Sequence, residues 1–220
     1  MKKKTRDRQT EFGFANWGGK RRGAGRKPKG EKAGVSHARR AKLAERFPVH
    51  VTLKVVKGLP NLRRKESFRE LERAFGAGAE RFGFRLQHFS VQTNHVHMIA
   101  EARDERALSR GMQGLSIRMA KALNRLWSRR GQVFAERFHS RVLTTPREVR
   151  NALAYVLLNT NHHGVRYVDG PDPCTSGASF DGWKDAKKTS AESSPGFLSR
   201  ARTWLLRVGW RRHGLIPLRA

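Results

Sequence analysis

The hydrophobic positions change period along the chain, and those changes mark out the elements. Residues 47–56 alternate: Phe47, Val49, Val51, Leu53 and Val55 are apolar, and His50, Thr52 and Lys54 lie between them. A period of two predicts a strand with one buried face. Gly58-Leu59-Pro60-Asn61 breaks it. Over 65–82 the period lengthens. Phe68, Leu71, Phe75, Ala79 and Phe82 recur at helical spacing, and Gly83 ends the predicted helix. Two strands follow, 84–91 and 95–101, around a tight turn at Thr93-Asn94. A second helix is predicted over 105–129, with Met112, Leu115, Met119, Leu123 and Leu126 as its apolar stripe. A fourth strand, 132–143, alternates Arg137, His139 and Arg141 onto one face. The third helix, 147–159, has a strong start signal in Thr145-Pro146-Arg147-Glu148. Threonine is the N-cap, proline opens the helix and the glutamate closes a capping box. Residues 160–196 read as loop. Trp204, Leu205, Leu206, Val208 and Trp210 then form an amphipathic segment that packs back on the domain.

The order strand, helix, strand, strand, helix, strand predicts an α+β fold of the ferredoxin-like split βαβ type, with an added C-terminal helix. Such an antiparallel sheet carries both helices on one face and leaves the other open. Val49, Val51, Leu53, Val96 and Met98 belong against the helices, so His50, His95, His97, Arg137 and His139 are expected on the open face. Three segments follow: a basic flexible arm over 1–46, the domain over 47–165, and a loop with the amphipathic segment over 166–220.

Charge changes the picture next. Lys and Arg number 47 against 18 Asp and Glu, a formal net charge of +29. That excess points to a polyanionic partner, nucleic acid before an anionic membrane surface. No apolar run approaches the ~20 residues that span a bilayer, and no apolar core follows the basic Met1-Lys2-Lys3-Lys4 to make a secretory signal. One cysteine, Cys174, excludes an intrachain disulfide framework. Cytoplasmic residence is the default expectation. The arm holds 16 of the basic residues and 4 acidic ones, a composition of disorder. Its run Lys20 to Lys29, with Arg22 and Arg26 set among glycines, suits phosphate tracking or minor-groove entry as well as it suits a plain solvated tail. On the second helix Arg118, Lys121, Arg125 and Arg129 form a stripe of one sign, which reads as a solvated face or as phosphate contacts. Arg137, His139 and Arg141 are further candidate DNA contacts.

The candidate chemistry centres on Gln92-Thr93-Asn94-His95-Val96-His97-Met98-Ile99-Ala100. His95 and His97 flank one apolar residue within a strand, so both imidazoles share a face. Such a pair can hold a metal or simply line a polar strand face. Tyr155 and Asn159, four apart on the third helix, stand one above the other. Two imidazoles and one amide oxygen give three neutral ligands for a divalent cation that polarises a phosphodiester. Tyr155 then supplies a nucleophile, or is only a half-buried helix tyrosine. Asn159 is a third ligand, or caps helix-end carbonyls. Tyrosine attack on phosphorus gives a covalent phosphotyrosine and conserves the phosphodiester energy for rejoining. His50 and His139 either touch phosphate or fill the sheet. Glu136 either orients a ligand histidine or pairs with an arginine.

His95-Val96-His97, Tyr155-Val156-Leu157-Leu158-Asn159, Phe134-Ala135-Glu136-Arg137-Phe138-His139 and Thr145-Pro146-Arg147-Glu148 resemble the REP-associated tyrosine transposases, of the single-tyrosine HUH transposase superfamily, over about residues 46–165. Thr203 to Trp210 is similar to the C-terminal segment of that group. The resemblance implies a Mg²⁺- or Mn²⁺-dependent endonuclease and strand transferase acting on single-stranded or hairpin DNA. It assigns His95 and His97 as metal ligands, Tyr155 as the nucleophile that forms a 5′-phosphotyrosine, and Asn159 as third ligand where relatives often carry Gln. It favours a monomer over a homodimer. Two other readings compete: a domesticated hairpin-binding relative that cuts little, and an RRM-like module. The RRM-like reading lacks aromatics at the exposed sheet positions.

Overall fold

The computed structural model describes residues 42–159, 167, 170–185 and 197–218. All of them fall in the unit Val35–Ala220. Most of the expected basic arm, including Arg22 and Arg26, lies outside the described residues, as does much of the expected loop over 160–196.

The alternating run forms β1 (Val49–Lys54), and the first helix is α1 (Lys65–Gly78). A two-residue strand, β2 (Glu80–Arg81), turns into β3 (Phe84–Val91), followed by β4 (His95–Ala102) and α2 (Glu105–Leu126). β5 (His139–Val142), α3 (Pro146–Leu157) and the short α4 (Trp204–Arg207) complete the elements. The sheet runs β2-β3-β4-β1-β5, and each neighbouring pair is antiparallel. This is an α+β fold built on a five-stranded antiparallel sheet.

Several boundaries differ from the sequence reading. α1 stops at Gly78 rather than at residue 82, because Phe82 (φ 55°) and Gly83 (φ 77°) form the two-residue turn joining β2 to β3. Two positive φ values in succession suit the twist of a hairpin. Phe82, expected on the apolar stripe of the helix, is thus 70% exposed at a turn tip. α2 ends at Leu126, ahead of the left-handed Ser128 (φ 48°). The fourth strand is interrupted. Residues 133–135 bond to the end of β1 through Val56 N to Val133 O and Ala135 N to Lys54 O, and regular pairing resumes only at His139.

One face of the sheet follows expectation. Val49, Val51, Leu53, Val96 and Met98 are buried with Leu71 and Phe75 of α1 and Met112, Leu115, Met119 and Leu123 of α2. Gly111 lets α2 approach β3 closely, since a Cβ there would meet the Phe84 ring at 2.2 Å. The other face is not open, contrary to the reading above. Ile99 of β4 and Leu143 are buried with Val149, Leu153, Val156 and Leu157 of α3, and with Phe180, Trp183, Leu205, Leu206, Trp210 and Ile216. α3 has a wide apolar stripe, which water would penalise unless a second layer covered it. The chain therefore forms helix layer, sheet, and a layer of α3 with the C-terminal segment. The amphipathic segment packs back as expected, although Trp204 and Val208 face solvent.

A buried carboxylate fastens that outer layer. Glu101, fully buried on β4, accepts from Arg85 Nε (3.2 Å) and a second Arg85 nitrogen (3.0 Å), from the Gln87 amide (3.3 Å), and from the backbone N–H of Arg202 (3.0 Å) and Thr203 (2.7 Å). Thr203 in turn caps α4. Removing one member of such a pair strands a buried charge. Glu101→Ala is expected to lower unfolding free energy by about 3–5 kcal/mol, read as a lower urea midpoint. An unchanged midpoint would show that the C-terminal segment is held by its apolar contacts alone.

Candidate active site

On the second face, β1, β4 and β5 set polar side chains directly opposite one another. Thr52 pairs with His97 on one side and His139 on the other, and His50 pairs with Ile99 and Arg141. Directly opposed residues share a face, so His97, Thr52 and His139 form one cross-strand row. His95 and His97 both project here, as the alternation predicted. Their Nε2 atoms lie 3.0 Å apart. Two nitrogens held about 2.1 Å from one cation at a right angle would be about 3.0 Å apart, so the pair fits a small divalent ion.

The other ring nitrogens are tied down. His95 Nδ1 lies 2.8 Å from Asn94 Oδ1. His97 Nδ1 lies 3.1 Å from Thr52 Oγ1 and 3.2 Å from His50 Nε2. A partner on Nδ1 sets the tautomer and ring orientation and leaves Nε2 for a ligand. His97 itself is only 4% exposed, so its ring has little freedom. His50 is pushed down to a pKa of about 4, first by burial and then by the nearby His139 and Arg141 charges. It is a neutral imidazole near pH 7.

α3 brings the tyrosine. Thr145 accepts from the Glu148 N–H, and the Glu148 carboxylate returns to the Thr145 N–H, the predicted capping box. Hydrogen bonds from Thr144 and Arg141 hold the Glu148 pKa down at about 2. Val149, Ala152, Leu153, Val156 and Leu157 are buried on the sheet side. Tyr155, on the flank of that stripe, stays 41% exposed. Its ring centroid is 5.1 Å from that of His97 and 5.8 Å from that of His50, both edge-on. The helix ends at Leu157, so Asn159 lies beyond it rather than on its last turn. Asn159 is 2% exposed, and its Oδ1 is buried with no hydrogen-bond partner among the described residues. A buried, unpaired carbonyl oxygen is costly unless something else satisfies it. An oxygen donor for a cation is one such use. Among the described residues no group of three or more His, Cys, Asp or Glu is placed to hold a metal ion.

Thr52 was not singled out as a site residue from the sequence, and His50 was read only as touching phosphate or filling the sheet, not as a partner of His97. The β1 alternation placed them on the polar face, but only the β1–β4 register brings them onto His97. The candidate DNA contacts divide. His139 and Arg141 are exposed on the site side of β5, Arg141 pairing with Glu148 at 2.9 Å, and Arg137 just precedes the strand. Arg118, Lys121 and Arg125 line a groove with Arg73 and Glu70 between α1 and α2, beyond the opposite face of the sheet. Glu136 is exposed.

The sequence pattern of the family described as "Transposase IS200 like" matches residues 49–162, which contain the whole of this arrangement. The chain belongs to the IS200-like transposase family. Its members are single-tyrosine HUH nucleases that act in DNA transposition, and they are typically metal-dependent. No curated protein matches the chain. Among solved structures, a REP-associated tyrosine transposase bound to a REP hairpin is similar, at 16% identity and a TM-score of 0.51, over 64% of this chain and 82% of that one. A bacterial tRNA(His) guanylyltransferase-like protein in complex with ATP matches over 53% and 57% at 14% identity, with a TM-score of 0.36. The first likeness agrees with the fold described above. No described helix is long and apolar enough to cross a membrane.

The His50 environment makes a pH prediction for the IS200-like chain. Its pKa is about 4 in the fold against 6.5 for the free side chain, so the unfolded chain binds the proton more readily. This contribution to stability is whole above pH 6.5 and is lost as pH falls through 4. Unfolding free energy is expected to fall by roughly 3 kcal/mol between pH 7 and pH 4 on this account. His50→Gln should flatten that part of a urea-midpoint profile. A parallel profile in the variant would assign the acid sensitivity to other groups.

Proposed function

We propose that the protein is a metal-dependent single-stranded DNA endonuclease and strand transferase acting at hairpin-forming repeats. Tyr155 is the nucleophile. Its hydroxyl oxygen attacks the phosphorus, the bond to the 3′ oxygen breaks, and the strand end leaves as a 3′-hydroxyl carrying a proton. The 5′-phosphate stays on Tyr155. A second 3′-hydroxyl reverses the exchange, so joining needs no ATP. The observation that carries this reading is the packing of the Tyr155 ring on His97, 5.1 Å away, beside two imidazole nitrogens 3.0 Å apart.

His95 and His97 are the residues that would hold the ion, Mg²⁺ or Mn²⁺, with Asn159 as third ligand. When bound, such an ion supplies Lewis-acid stabilisation of the charge developing on the phosphate. That the Asn159 oxygen has no hydrogen-bond partner among the described residues supports its assignment. Thr52, through the His97 Nδ1 contact, keeps that ring in register. His139, Arg141 and Arg137 are proposed contacts for DNA on the site side. Arg118, Lys121 and Arg125 are proposed contacts on the far side, and Arg22 and Arg26 contacts from the arm. We read the order β3-β4-β1-β5 with α1 and α2 on one face as a ferredoxin-like split βαβ core within residues 47–165. We read the preceding 46 residues as a basic arm, and 166–220 as a loop and amphipathic segment whose described part packs on the core. Since His97 and Tyr155 meet within one chain, we favour a monomer acting in cis, in a cytoplasmic setting. The RRM-like alternative loses support from the layer of α3 over the second sheet face, which leaves no open platform for bases.

Incubation with hairpin-bearing single strands from the flanks of the gene, with Mn²⁺ or with EDTA, tests the reading on a denaturing gel. A Mn²⁺-dependent protein–DNA adduct should form, vanish in Tyr155→Phe and fall at least about 100-fold in His95→Ala. DNA binding without any adduct would instead support a domesticated hairpin-binding protein. Thr52→Val should weaken Mn²⁺ affinity about 10-fold or more, with recovery in Thr52→Ser. This is measurable by Mn²⁺ titration without DNA, and equal affinity in all three proteins would remove Thr52 from the site.

A further inference from the structure

A cleft of ≈ 620 Å³ opens between β3, the loop around residues 179–181 and the C-terminal segment 198–211. It is separate from the histidine pair, and its sheet lining lies on β3, the strand that pairs with β4. Ser90 of β3 lies opposite His97, and His88 lies opposite Ile99, so both face the site side of the sheet. His88 is the diagonal neighbour of His97, about 7–8 Å away.

The lining has two characters. Its interior offers uncharged hydrogen-bonding groups: Gln87, His88 and Ser179. Burial lowers the His88 pKa to about 4, and the ring rests on Ser176 Oγ at 3.2 Å, so it is a neutral imidazole. The Ser179 hydroxyl has no hydrogen-bond partner among the described residues. Its rim is cationic, with Arg200, Arg207 and Arg211 against the single Asp181. Asp181 is taken by Arg211 at 2.7 Å. Arg200 and Arg207 are exposed and have no acidic partner among the described residues. The wall is preformed. Phe180 stacks on Trp210 at 5.4 Å, and a Cβ on Gly182 would come within 2.3 Å of Trp210, so the ring packing leaves no slack.

An anionic rim-binder with a flat, hydrogen-bonding interior portion is the chemical description of a nucleotide. The volume lies within the usual range of about 300–1,000 Å³ for small-ligand sites. We infer that this cleft receives a nucleotide of the single DNA strand adjoining the scissile phosphate, the base toward Gln87, His88 and Ser179 and the phosphates on Arg200 and Arg207. The inference rests on the nuclease reading above for the position of the scissile phosphate. It adds a second point of grip, a few residues of sheet away. Bases held in such a cleft would contribute selectivity for the sequence beside the cut, which the histidine–tyrosine site alone, reading only phosphate, does not supply.

The full chain, bound to 5′-fluorescein dT12 and separately to dT12 carrying one 5-iododeoxyuridine for photocrosslinking, tests this. Arg200→Glu/Arg207→Glu should weaken binding at least about 10-fold more than Arg106→Glu/Arg110→Glu, an equal charge change on the exposed side of α2. Crosslinks should map to peptides containing residues 87–88, 179–181 or 198–211. Equal weakening by the two charge pairs, or crosslinks confined to other peptides, would overturn the inference. The adduct assay separates the two proposals. An adduct at Tyr155 without cleft crosslinks removes the cleft and leaves the nuclease. Cleft crosslinks with no adduct remove the nuclease and leave a single-strand binding cleft.

Discussion

Glu101 sits at zero exposure on β4 and is held by the Arg85 guanidinium, the Gln87 amide and the backbone N–H groups of Arg202 and Thr203. A carboxylate in such a place is tolerable only where its lone pairs are engaged. Two of those donors belong to the C-terminal segment, more than a hundred residues away in sequence. The charge therefore dictates where that segment lies. The segment then packs Leu205, Leu206 and Trp210 into the cluster that contains Leu153, Val156 and Leu157 of α3. Tyr155 rides on α3. A single buried carboxylate in the sheet thus helps hold α3 against it.

β4 concentrates this design. On one side, Val96, Met98, Ala100 and Ala102 join the core beneath α1 and α2. On the other, His95, His97, Ile99 and Glu101 follow at alternate positions. Two of these are proposed ligands, one is a core residue of the outer layer and one is its anchor. The strand period allows one short stretch to serve all three purposes, and a slip of one residue would send every member to the wrong face.

The positive charge is spread over both sides of the sheet. His139 and Arg141 stand beside the site, Arg200 and Arg207 rim the cleft next to it, and Arg118, Lys121 and Arg125 line the groove between α1 and α2. A polyanion much longer than the reacting phosphodiester could be held at several points at once. Phosphate contacts of this kind fix position and orientation without reading sequence.

The sequence by itself determined the succession of the main elements without the short β2, the inward face of β1 and β4, the shared face of His95 and His97, and the start of α3. Each is a local matter: strand alternation, helical spacing and a capping box act within a few residues. The end of α1 escaped because Phe82 suits a helix stripe as readily as a hairpin tip, and only pairing with β3 decides between them. The broken fourth strand escaped because alternation continues through Arg137 whether or not the backbone is paired. The covering of the second sheet face, the seating of Tyr155 on His97, the service of Thr52 and His50 to that ring, and the burial of the Asn159 oxygen were decided by tertiary structure alone. These depend on which of several apolar stripes meet and in what register. Contacts over such separations arise from burial of the whole surface, which carries no signature in any one stretch of the chain.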